Sequence, residues 1–170
     1  GLATEYEVND AGDVYTFKLR KGVNFSDGTP FNAEAVKWSI DRVINIAGDP
    51  SWLVTSFVDS VDVVDEYTVR FNLQGPVGFF PDLVATVPYF PMNPNIFPAD
   101  EWVNDPTELK GGELSGTGPY KIISYKRDEE VVLDKNPEYY GEEPAIDRIV
   151  IRYYADATTM RLAQIGRAHV

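Results

Sequence analysis

A mixed α/β fold built from hairpins rather than regular βαβ units is the class this sequence predicts, and three observations carry it. Residues 15–19 alternate Tyr15, Phe17 and Leu19 with Thr16 and Lys18, the two-residue period of a half-buried strand. The same period returns at Tyr67, Val69, Phe71 and Leu73, set against Thr68, Arg70 and Asn72. Between these runs, Val36, Ile40, Val43 and Ile44 fall on one face of a helix.

The elements follow in order. Asp10–Asp13, with Gly12 inside, is a turn before the first strand, and Ser26-Asp27-Gly28-Thr29-Pro30 is a second. Gly28 suits a positive φ there, and Pro30 keeps helix from the residue before it. A helix then starts with Asn32 as N-cap and Glu34 in its first turn. Phe31 and Val36 stand at the two positions of a hydrophobic staple, and Gly48-Asp49-Pro50 ends the helix. Val61–Val64 and Tyr67–Leu73 read as a hairpin turning at Asp65-Glu66, closed by Gly75-Pro76. Residues 79–87 read as a short helix, and Pro88–Pro94 is too rich in proline for a central strand. Residues 98–118 read as loop. A second hairpin pairs Tyr120–Lys126 with Glu130–Lys135 through Arg127-Asp128, and Asn136-Pro137 stops it. Ile146–Tyr153 is a last strand, and Asp156 caps a final helix opening at Ala157.

Composition narrows the chemistry. The 170 residues suit one domain with a real core, and 44% apolar content with 13% aromatics argues against disorder. Fifteen Lys and Arg against 27 Asp and Glu leave a net charge of −12, which disfavours nucleic acid and anionic membranes as partners. With no Cys, thiolate nucleophiles, disulfides and Cys-ligated metals are excluded, and the single His, His169, leaves little room for imidazole catalysis. No run of residues is long and apolar enough to span a bilayer.

Candidate sites for chemistry score poorly. Asp59, Asp62 and Asp65 lack the alternate spacing and glycine of a calcium loop, and read as solvated strand-edge charges. Gly111–Gly118 is glycine-rich but lacks a Gly-Lys-Ser/Thr ending, and Glu113 would repel phosphate. Ser115 and Thr117 have no visible base. The aromatics are more informative: Trp52, Tyr89, Phe90 and Trp102 lie in or beside loops, which suits an apolar ligand cleft and equally suits a satellite core under a long loop.

Four blocks then carry a specific likeness. The run from Tyr15-Thr16-Phe17-Lys18-Leu19-Arg20 through Phe25-Ser26-Asp27-Gly28-Thr29-Pro30-Phe31-Asn32 to Val36 closely resembles the signature region of family 5 extracellular solute-binding proteins. These are receptors of ABC importers for peptides, nickel and some sugars. Val61–Leu73, Gly116-Thr117-Gly118-Pro119-Tyr120-Lys121 and Leu133-Asp134-Lys135-Asn136-Pro137-Glu138-Tyr139-Tyr140-Gly141 are similar to the family's later blocks, in the same order. Within them the Asp27–Pro30 turn and Asn136-Pro137 read as structural, and Gly116 and Gly118 as positions permitting an unusual backbone.

The resemblance implies a partial type II periplasmic-binding-protein-like fold, N-terminal lobe only, over residues 1–164. It also implies that the signal sequence, the opening strand and the second lobe are missing. At Ile165 the family's helix continues to a Gly-Glu-x-Asp block, which is absent. Ile165-Gly166-Arg167-Ala168-His169-Val170 instead reads like a translated sequencing adapter, so residues 165–170 are expected to be an adapter-derived tail in which His169 has no function. The function implied is the substrate-binding component of an ABC importer, capturing peptides or similar small solutes by closure of two lobes. The location implied is periplasmic, or extracytoplasmic as a lipoprotein. Its partners would be the solute and an ABC permease, and the full-length form a monomer. No catalytic residue, cofactor or metal is implied; a carboxylate-based extracellular hydrolase is the alternative. Alignment with the family brings Ala85–Phe90 near the ligand cleft, with Thr86 as a contacting side chain, Tyr89 and Phe90 as aromatic walls, and Trp52 as a further candidate.

Overall fold

The computed structural model describes residues 1–104 and 114–167, the last three by backbone alone. Expectations for Pro106, Gly111, Gly112 and Glu113, and for residues 168–170 of the tail, lie outside the described residues. Two antiparallel sheets organise the rest, in keeping with the mixed hairpin class.

The first sheet has four strands: β1 (Ala3–Val8), β2 (Val14–Leu19), β3 (Val58–Asp65) and β4 (Thr68–Leu73), in the order β1-β2-β4-β3. The alternation in β2 and β4 does what its period requires: Tyr15, Phe17, Leu19, Val69, Phe71 and Leu73 are all buried on one face. Helix α1 (Ala33–Ile46) packs across that face through Val36 and Ile40. The Asn32 side chain accepts the Ala35 N–H at 3.0 Å, and the staple residues Phe31 and Val36 are both buried. Gly28 sits at φ +84°. The helix ends one residue earlier than expected, at Ala47, which takes a left-handed backbone with φ 52°.

Two features of this sheet differ from expectation. Strand β1 pairs with β2 in register Tyr6↔Phe17 and Val8↔Tyr15, although no strand was expected before Tyr15. Its signal was present as Thr4, Tyr6 and Val8 set against Glu5 and Glu7, but every residue of this edge strand is exposed, so burial never enforced the pattern. The β3–β4 turn falls one residue later, at Glu66-Tyr67, because the Asp65 carboxylate accepts the Tyr67 N–H at 2.8 Å and closes the turn in place of a glycine. Asp59, Asp62 and Asp65 are exposed on edge strand β3, as expected.

Strand β4 leads into α3 (Phe80–Leu83) and a 3₁₀ turn (Val87–Tyr89), both placed over the buried sheet face. The second sheet, β5 (Tyr120–Lys126), β6 (Glu130–Lys135) and β7 (Arg148–Arg152), follows in meander order. The β5–β6 turn falls at Arg127-Asp128, with Asp128 at φ 59°. Asp156 caps α4 (Ala157–Arg167) by accepting the Thr158 and Thr159 N–H groups. Gly116 and Gly118 do not take the unusual backbone expected of them: neither has positive φ, and a Cβ on either would meet nothing. Asn136 does the structural work instead, donating from Nδ2 to the Gly118 carbonyl at 2.8 Å and from its backbone to Pro119 at 2.9 Å.

Candidate functional site

The surface of interest grows from three short elements that follow α1 and β4. Helix α2 (Trp52–Thr55) is a single turn whose Ser51 cap makes no side-chain hydrogen bond. A lone turn is unstable by itself, so tertiary contacts hold it: Val54 is fully buried, and Gln74 Nε2 donates to the Thr55 carbonyl at 2.8 Å. Pro81 in α3 and Pro88 in the 3₁₀ turn occupy first-turn positions, where a missing N–H is not needed. Phe80 anchors the group. Its ring lies 5.1 Å from Tyr15, 5.4 Å from Phe71 and 5.9 Å from Tyr89, at tilted or edge-on angles that aromatic rings favour.

The four candidate side chains fall differently on this surface. Trp52 is 58% exposed at the start of α2, and Phe90 is 53% exposed just beyond the 3₁₀ turn. Thr86 is half-buried, its hydroxyl donating to the Leu83 carbonyl at 2.7 Å. Tyr89 is 5% exposed, a member of the core, and its hydroxyl donates to the Leu53 carbonyl at 2.8 Å. Burial pushes the Tyr89 phenol well above its usual range, so the hydroxyl keeps its proton. Phe79, just before α3, and Val87, on the 3₁₀ turn, which the sequence reading did not single out, are also exposed, and Phe79 meets Phe57 edge-on at 5.6 Å.

Tyr89 and Phe90 also line a cleft of about 830 Å³ between the first sheet and the segments that lead into and out of β5 and β6. Trp52 and Thr86 are not among its lining residues. Tyr6, Phe17, Phe71 and Tyr140 give it apolar walls, and Glu5 is the one residue with a charged side chain among the described residues lining it. Tyr6 and Tyr140 were missed as wall residues; the alternation of β1 would have found the first.

A polar joint holds this cleft's rim. Asn93 is fully buried, and its Nδ2 donates to Asp27 Oδ2 at 2.8 Å and Ser115 Oγ at 3.1 Å. Thr29 gives Asp27 a backbone and a hydroxyl hydrogen bond, and the Ser26 N–H reaches the Gly116 carbonyl at 2.9 Å. Burial alone would push the Asp27 carboxyl up, but the hydrogen bonds from Thr29, Ser115 and Asn93 together outweigh it and hold the group below its usual value. Of the glycine-rich run, Ser115 and Gly116 thus contribute to this clamp. Among the described residues no group of three or more His, Cys, Asp or Glu could hold a metal. No described helix is long and apolar enough to cross a membrane.

Apolar and aromatic residues predominate among the described residues that line this cleft. The sequence pattern of bacterial extracellular solute-binding proteins, family 5 Middle, matches residues 1–169, and the chain belongs to that family. It is 29% identical over 169 residues to the Probable D,D-dipeptide-binding periplasmic protein DdpA of Escherichia coli, covering 99% of this chain and 32% of that protein. It is 33% identical over 178 residues to the glutathione-binding protein GsiB of the same species, covering 98% and 32%. Among solved structures, NikA from Brucella suis in complex with Fe(III)-EDTA superposes with a TM-score of 0.83 at 33% identity, over 98% of this chain and 33% of its own. The chain thus spans about a third of the length of the relatives it matches.

Proposed function

We propose that this chain is part of the substrate-binding receptor of an ABC importer, which captures peptides or similar small solutes outside the cytoplasmic membrane and hands them to a permease. The observation that carries the reading is the exposed aromatic surface of α2, α3 and the 3₁₀ turn, in a chain that belongs to a solute-binding family. Large apolar side chains left exposed on several short elements of a protein with net charge −12 suit an interaction site. Aromatic faces bind varied side chains at low entropic cost, which suits peptide cargo. Two relatives named for D,D-dipeptides and glutathione support the same solute class.

In this reading residues 1–164 belong to the N-terminal lobe and 165–170 are an adapter-derived tail. Trp52, Thr86 and Phe90 face the solute, and a second lobe closes over it, so that binding selects the closed state. The receptor works at the membrane's outer side, as a soluble protein or a lipoprotein, and carries no catalytic residue. Calorimetry with di- and tripeptides tests it. The 170-residue chain alone should bind no tighter than roughly 1 mM, about −4 kcal/mol, whereas the protein encoded by the complete source reading frame should bind far more tightly. Trp52→Ala there should weaken binding about tenfold or more while moving the unliganded Tm little. Peptide turnover by the complete protein, or unchanged affinity in Trp52→Ala, would overturn the reading.

A further inference from the structure

We propose that the buried hydroxyl of Tyr89 fixes the orientation of α2, and through it the exposed ring of Trp52, making Tyr89 a positioning residue of the solute-facing surface. The proposal rests on the reading that Trp52 faces solute.

The geometry forms a short chain of fixed parts. The Tyr89 ring is held by Phe71 at 6.4 Å and Phe80 at 5.9 Å, so its hydroxyl is placed by the core rather than by solvent. That hydroxyl donates to the Leu53 carbonyl, the residue after Trp52. Helix α2 has neither an acidic first turn, a basic last turn nor a side-chain cap, so it has little of its own to hold its direction. Gln74 fixes its far end at Thr55, and Val54 fills the core beneath. Immediately before these anchored residues, the Trp52 ring projects into solvent, 58% exposed. Removing the hydroxyl leaves the core ring in place and frees the near end of the turn.

The test is Tyr89→Phe in the 170-residue chain labelled with 5-fluorotryptophan. The chain has three fluorine signals, from Trp38, Trp52 and Trp102, and the one lost in Trp52→Phe is that of Trp52. The Trp52 signal should shift or broaden in Tyr89→Phe while the Trp38 signal, from α1, stays. Amide exchange gives a second measure. The Ser56 and Phe57 N–H groups, which bond back to Trp52 and Val54, should lose protection relative to those of α1. An unmoved Trp52 signal with unchanged protection overturns the proposal, as do three signals that move alike. Peptide calorimetry is read separately: its failure would remove the receptor reading while a selective Trp52 shift would still establish the anchor.

Discussion

Phe80 shows at the scale of one residue how this core is held. It touches two strands and the 3₁₀ turn with one fully buried ring, so Phe80→Ala should cost about 3–5 kcal/mol, measured by urea unfolding. A loss below about 1 kcal/mol would mean that the rings around it collapse into the space. Asp27 makes a different demand. Its carboxyl is held below the usual Asp value of 3.8, so the stabilisation from its hydrogen bonds is complete above that value and lost as pH falls through the lower folded one. Asp27→Asn should therefore be less stable than the parent at neutral pH, and the gap should shrink as pH falls below 3.8. A gap constant with pH would show that the charge contributes nothing.

Helix α1 is the element most legible from sequence, because its cap, staple and apolar stripe all act locally. Asn32→Ala should destabilise it by about 1 kcal/mol, and Asn32→Asp should restore most of that, as thermal unfolding can show. At its other end Ala47 adopts a left-handed backbone that suits glycine, so Ala47→Gly should stabilise by about 0.5–1 kcal/mol. The hairpins were legible for the same reason: alternation in Val69–Leu73 and turn chemistry at Arg127-Asp128 are encoded within a few residues. What escaped was decided at a distance. Strand β1 is defined by its pairing with β2 rather than by burial, and α2 is stabilised by groups from Tyr89 and Gln74. The candidate surface was likewise half legible. Trp52 and Phe90 are exposed, but nothing near Tyr89 in sequence announces that its ring enters the core, since Phe71 and Phe80 reach it only through the fold.

At the scale of the molecule, the two sheets are unequally covered. The first buries one face of β2 and β4 and part of β3, whereas Val131 is the one buried apolar residue on the strands of the second, and Ile123, Val150, Ile151 and Tyr153 stay exposed on or beside it. The cross-strand pairs Arg148–Asp134 and Arg152–Glu130 are exposed and add little to its stability. An apolar sheet with β7 as a free edge invites pairing between molecules. Sedimentation of the 170-residue chain should accordingly show association that grows with concentration, and Ile151→Lys should suppress it. A single monomeric boundary at every concentration would refute this.

The clamp of Asn93 on Asp27 and Ser115 has a consequence for synthesis on the ribosome. All four strands of the first sheet, together with α1, have been translated by Leu73, and N-terminal units fold first as a chain emerges. The clamp gathers members from 27, 93 and 115, so it closes only after the third has left the exit tunnel. A nascent chain with Leu73 outside the tunnel and Phe80, Tyr89 and Ser115 still inside would carry all four strands with Tyr15 and Phe71 not yet covered and the clamp not yet closed. That interval is when a chaperone scanning for exposed aromatic residues would find it.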